Sequence, residues 1–264
     1  KDCVEGHKVL VKVIKEVNKN KYIAEVVKII GHKADPGNDI LTIAYKHGIY
    51  EDFGDGVEAE LVDIPNEVDP KELANRRDLT GEVIFTIDGD DTKDIDDAIG
   101  IKKLSNGNYE LGVHIADVSY YVKEGSKLYE SAISRGTSVY LADRVTPMLP
   151  HELSNGICSL NPNVDRFAIS CIMEIDEDGN VCDYDIFDSV IRSRIQMTYE
   201  KVNLILEQNI VSEGYEEFAD KLYLMAELAQ ILRKNKVSKG YIDFELDEEM
   251  FTNEWTGVKE SLFI

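Results

Sequence analysis

The sequence predicts a mixed α+β domain from about residue 81 onward, preceded by a shorter β-rich piece. Three observations carry that prediction. Two β-rich runs, Lys8–Val17 and Tyr22–Ile30, flank a turn-like Asn18–Lys21. After Gly81, strand-like runs alternate with segments of helical spacing. Six aspartates fall within Asp88–Asp97, between the apolar runs Val83–Ile87 and Ala98–Ile101, so an acidic loop joins two expected strands.

Taken in order, Asp35–Asn38 reads as a turn, with Asn38 as N-cap of a helix over Asp39–His47 that Gly48 ends. Glu51–Thr80 is acidic, carries Pro65 and Pro70, and reads as a linker with little regular structure. Val83–Ile87, Ala98–Lys103 and Tyr109–Ala116 are strands, with a turn at Ser105–Asn108. Ser126–Ser134 has helical spacing. Phe167–Ile175 and Val181–Ile191 form an antiparallel hairpin around Asp178-Gly179. Thr198 caps a helix over Tyr199–Gln208. Glu213–Lys236 is a long amphipathic helix whose apolar stripe is Leu222, Met225, Leu228, Ala229 and Leu232. Gly240 leads into a strand over Tyr241–Leu246, and there is no internal repeat.

Composition narrows the function classes. The chain has 264 residues, 51 acidic against 29 basic, and a net charge of −22. No apolar run approaches the ~18 residues that span a bilayer, so the reading includes no membrane partner. Cys3, Cys158, Cys171 and Cys182 have neither CxxC spacing nor a disulfide framework, and the N-terminus lacks a signal-peptide layout. Both features point to a reduced cytoplasmic protein. The acidic balance argues against a basic nucleic-acid face, unless bound cations supply the positive field.

The acidic loop is the strongest chemical signal. Asp88, Asp94, Asp96 and Asp97 are spaced more tightly than local structure demands, and such carboxylates repel unless a cation lies between them. Hard oxygen donors of this kind suit Mg²⁺ or Mn²⁺ and not Zn²⁺. A calcium EF-hand is excluded: starting from Asp88, its glycine and glutamate positions hold Lys93 and Ile99. A solvated acidic loop is the bland alternative.

Three segments together, TIDGDDTKDIDDA (Thr86–Ala98), HIADVSYYV (His114–Val122) and Arg135–Arg166, closely resemble the catalytic domain of the ribonuclease II and ribonuclease R exoribonucleases, the RNB type. The resemblance runs from about Leu79 to about Leu246. It implies a hydrolytic 3′→5′ exoribonuclease that is divalent-metal-dependent and releases nucleoside 5′-monophosphates from single-stranded RNA, in a monomeric parent. By motif match, Asp88, Asp94 and Asp97 bind Mg²⁺ (or Mn²⁺), Asp96 is indispensable for the chemical step, and Asp90 and Asp91 are solvated neighbours. Tyr140 and Phe244 match aromatics that stack on RNA bases, and Tyr199 matches a tyrosine beside the scissile phosphate. For Tyr140 the competing reading is an ordinary strand aromatic, and for Tyr199 an inward-packing helix residue. His114 reads as a core histidine and Asp117 as a strand-end turn residue in preference to an outer-shell carboxylate. Arg135, Arg144 and Arg166 are unranked candidates for phosphate contacts or structural ion pairs.

Under this reading residues 1–62 are the partial end of a cold-shock-type OB domain, 63–80 a linker, and 81–264 the N-terminal part of an incomplete RNB-type catalytic domain. An OB barrel needs five strands, and only two are legible. Family catalytic domains continue into an arginine-bearing motif and an RNA-binding OB domain, neither of which occurs here. The chain is therefore expected to be a fragment, inactive by itself. A non-catalytic RNA-binding or regulatory relative, or a generic acidic metal-binding module, are the alternatives from other classes.

Overall fold

The computed structural model describes residues 3–241, together with the backbone of 249–252 and 259–262. The chain divides into two compact units. One comprises Lys1–Asp55, Glu130–Met148 and Leu246–Ile264, and the other Gly56–Tyr129 and Leu149–Glu245.

In the first unit, β1 (His7–Asn18) and β2 (Lys21–His32) form a two-stranded antiparallel ladder. Asn20 closes its turn with φ 67°, a conformation asparagine tolerates better than most residues. Val11, Val13, Ile14, Tyr22, Ile23, Val26 and Val27 stay exposed along this ladder. Helix α1 (Asn38–Lys46) follows, and here the sequence expectation is corrected. The N-cap is Gly37, at φ 73°, and Asn38 is already helical. The Asn38 amide is diverted to donate to the His32 carbonyl at 2.8 Å. The positive φ is what favours glycine at 37.

The expected linker contains more order than its composition suggests: α2 (Val57–Leu61), a single 3₁₀ turn at Leu73–Asn75, and β3 (Arg77–Asp78). Next come β4 (Thr86–Asp88), β5 (Asp97–Lys103), β6 (Tyr109–Ala116), α3 (Val118–Tyr121) and α4 (Lys127–Arg135). Glu60 of α2 accepts from the Lys127 and Leu128 N–H groups at 2.8 and 2.9 Å, satisfying donors that a helix start leaves free. A short hairpin, β7 (Val139–Tyr140) with β8 (Val145–Thr146), belongs to the first unit.

The second unit is completed by β9 (Asp165–Ile175), β10 (Val181–Arg192), β11 (Gln196–Thr198), α5 (Tyr199–Gln208) and α6 (Ala219–Ser238). Its main sheet has the order β3-β10-β9-β6-β5 and is antiparallel except for the β3–β10 pair. Thr198 accepts from Lys201 N–H at 3.3 Å and caps α5 as the sequence indicates. The apolar stripe of α6 differs at one position. Leu222 and Leu228 are buried, and Leu224, Met225, Ile231 and Leu232 pack beside the core, while Ala229 is exposed. The core under α5 and α6 gathers Phe85, Met197, Ile205, Phe218 and Leu222, and a second cluster joins Ile101, Tyr109 and Ile175 to Leu228.

Candidate functional site

Asp88 is the last residue of β4 and Asp97 the first of β5. Phe85 and Ile99 exchange backbone hydrogen bonds at 3.0 and 2.9 Å, which lays the two strands side by side and folds the intervening loop back on itself. Ile95, wholly buried in the core, anchors the middle of that loop. Its neighbours Asp94 and Asp96 are both less buried, the alternation expected where one residue points inward and the next ones point away. Asp90 and Asp91 occupy the exposed turn at the start of the loop.

The four carboxylates feel one another. Burial raises the Asp88 carboxyl above the ordinary aspartate range, and Asp97, Asp94 and Asp96 push it further up. Asp96 is solvent-accessible yet also raised, first by lost hydration and then by Asp94 and Asp97. Asp88 Oδ2 is buried and has no hydrogen-bond partner. A carboxylate oxygen stripped of water and given no donor is costly unless a cation or water completes it. The residues present therefore fit Mg²⁺ or Mn²⁺: hard oxygen donors, mutual repulsion and an orphaned buried oxygen. The cluster is loose, however. Among the described residues no three His, Cys, Asp or Glu side chains stand in coordinating positions.

Tyr199 opens α5 immediately after Thr198, and Thr198 is the register partner of Asp88 on the parallel β4–β11 pair. Its side chain is exposed, so the inward-packing reading does not hold. Tyr140 lies on β7, exposed, in the first unit, whereas the aspartates belong to the second. Phe244 lies outside the described residues. His114 is a core histidine: it is buried, its Nδ1 meets Ser170 Oγ at 2.7 Å, and burial lowers its pKa to about 4.

Asp117 follows β6 and caps α3. It accepts from Tyr120 N–H and from the Ser119 hydroxyl, and it pairs with Arg76 at 2.5 Å. The three candidate arginines all have structural partners. Arg135 donates to the Pro147 and Asp52 carbonyls, Arg144 pairs with Glu51 and Asp143, and Arg166 donates to the Ser159 and Asp165 carbonyls.

Ser159 was not legible in the sequence as part of this site. Its hydroxyl donates to the Lys93 carbonyl at 2.7 Å and accepts from Ile95 N–H at 3.1 Å, across a separation of 64 residues that carries no spacing pattern.

Comparison with known proteins shows the family. The RNB domain model matches residues 76–262, and a cold shock domain model matches residues 1–54. A Ribonuclease R of Thermotoga maritima is 50% identical over 253 residues, covering 93% of this chain and 36% of that protein. The structure of Mycoplasma genitalium RNase R in complex with double-stranded RNA superposes with a TM-score of 0.88 at 27% identity, covering 99% of this chain and 47% of that one. Yeast Ssd1, described as a pseudonuclease, shares the fold at a TM-score of 0.67 and 18% identity. The chain thus spans about a third of the length of the first of these relatives and about half of the second.

Proposed function

Because the chain belongs to the RNB-domain family together with ribonuclease R, we propose that it carries the metal-binding part of a hydrolytic 3′→5′ exoribonuclease. In this reading it acts on single-stranded RNA in the cytoplasm, as part of a monomeric protein that releases nucleoside 5′-monophosphates. The observation that carries the reading is the gathering of Asp88, Asp94, Asp96 and Asp97 at the ends of β4 and β5, with one Asp88 oxygen buried and unpartnered.

Asp88, Asp94 and Asp97 would hold Mg²⁺ or Mn²⁺, which when bound lowers the pKa of water and neutralises phosphate charge. Asp96 is assigned to the chemical step. Its carboxylate is exposed and so open to an attacking water. Tyr199, exposed one residue beyond the register partner of Asp88, is assigned to donate a hydrogen bond from its Oη to a phosphate oxygen. Tyr140 and Phe244 are assigned to base stacking, which tolerates any sequence because every base has a π-face.

The test uses a chain of the length its relatives have. Asp96→Asn keeps size and hydrogen-bonding capacity, so RNA affinity should persist while hydrolysis falls by orders of magnitude. Mn²⁺ should raise the melting temperature of the wild type, and less so that of Asp88→Asn. An Asp96→Asn chain keeping more than about a tenth of the rate, less than ~1.4 kcal/mol of lost transition-state stabilisation, would refute the assignment.

A non-catalytic reading has two observations in its favour. The aspartates are loosely arranged in the described structure, and the fold also occurs in a yeast pseudonuclease. It predicts RNA binding with no hydrolysis in the wild type under any divalent metal.

A further inference from the structure

The loop that carries Asp94 and Asp96 has no regular secondary structure, yet its backbone is held at consecutive residues. The Ser159 hydroxyl takes both the Lys93 carbonyl, at 2.7 Å, and the Ile95 N–H, at 3.1 Å, and so brackets Asp94 from both sides. Leu160 N–H then donates to the Ile95 carbonyl at 2.9 Å, and Ala116 N–H to the Asp96 carbonyl at 2.9 Å. Only the first of these holds depends on a side chain. Ser159 is itself fixed: it is wholly buried, its N–H donates to the Gly156 carbonyl at 3.1 Å, and its carbonyl accepts from Arg166 Nε at 2.9 Å.

We propose that Ser159 is a positioning residue for the aspartate cluster: it fixes the backbone from which Asp94 and Asp96 reach a divalent cation. The proposal rests on the metal reading given above. Among the described residues no three carboxylates stand in coordinating positions, so closure on a cation falls to side-chain rotation from a fixed backbone. Four like-charged groups would otherwise drive the loop open. A hydroxyl that uses its proton and a lone pair on two groups two residues apart works as a rung of a strand ladder where no strand exists. Alanine there removes the rung and leaves one donor and one acceptor of the loop without their partner. Outer partners of this kind typically change metal affinity by about 10- to 100-fold when removed.

The test measures free Mn²⁺ by electron paramagnetic resonance during titration of a chain of the relatives' length. RNA affinity without metal and the metal-free melting temperature are read in parallel. Ser159→Ala should bind Mn²⁺ roughly tenfold more weakly, with metal-free RNA affinity unchanged. Ser159→Cys, which keeps the volume but offers only a weak donor and acceptor, should fall between it and the wild type. Ser170→Ala removes another wholly buried hydroxyl, one that meets His114 and Ser189, and serves as the structural control. It should lower the melting temperature without moving the Mn²⁺ affinity.

Mn²⁺ affinity within twofold of wild type in Ser159→Ala would overturn the proposal alone. An equal loss in Ser170→Ala would do the same, by showing general softening. A wild type that binds no Mn²⁺ would overturn the metal reading and this proposal with it.

Discussion

Replacing Arg76 by leucine should be among the most damaging single changes outside the aspartate loop. The Arg76 and Asp117 side chains are 7% and 4% exposed, and the guanidinium donates to Asp117 Oδ2 at 2.5 Å. It also donates to the Ser189 carbonyl at 3.4 Å and lies 4.1 Å from the Phe167 ring centroid. Asp117 would keep two donors, Tyr120 N–H at 3.1 Å and the Ser119 hydroxyl at 2.7 Å, but lose its countercharge. Breaking a buried pair from one side costs about 3–5 kcal/mol, because the surviving charge is left uncompensated. Leucine restores much of the apolar contact with Phe167, so we take about 4 kcal/mol as the net loss. At about 2–4 °C per kcal/mol for chains of this size, the melting temperature should drop by roughly 8–16 °C.

The assay is urea unfolding followed by circular dichroism, run on Arg76→Leu, Asp117→Asn and the double variant. The double variant carries no orphaned charge and should recover at least about 2 kcal/mol relative to the sum of the single losses. A single-variant loss under about 1 kcal/mol, or strict additivity, would refute the claim that the two charges are buried against each other.

Two other measurements bear on groups the sequence singled out. His114 is neutral in the fold down to about pH 4, whereas the unfolded chain takes up that proton near 6.5, so stability should fall as pH drops through this window by about 3 kcal/mol in all. His114→Gln should flatten that slope; Asp88 and Asp96, raised in the fold, contribute with the opposite sign in both chains and cancel in the difference. An unchanged slope would place the titration elsewhere. Tyr140→Ala, in a chain of the relatives' length, should lengthen the final undigested RNA while leaving the rate on long RNA largely intact, since stacking counts most when few nucleotides remain. The exposed side chain predicts little change in melting temperature, and a large loss with an unchanged end product would make Tyr140 a packing residue instead.

What the sequence determined by itself was whatever local chemistry encodes. Tyr109–Ala116 alternates and is flanked by a turn, and it forms β6 over that range. Thr198 precedes a helical pattern and caps α5. The crowding of Asp88, Asp94, Asp96 and Asp97 is visible as spacing, because Asp88 and like charges six to nine residues further on must meet if two strands return on each other. Tertiary structure decided what depends on partners distant in the chain. Asn38 has the chemistry of an N-cap, but the His32 carbonyl takes its amide and Gly37 supplies the turn. Ala229 fits the apolar period of α6 and still faces solvent, whereas its neighbour Leu228 is buried against Ile101, Tyr109 and Ile175. The burial that orphans one oxygen of Asp88, and the hydroxyl of Ser159 that pins its neighbours, have no local signature at all. A hydrogen bond across 64 residues is satisfied only once the strands between have folded, and so it leaves no period to read in the sequence.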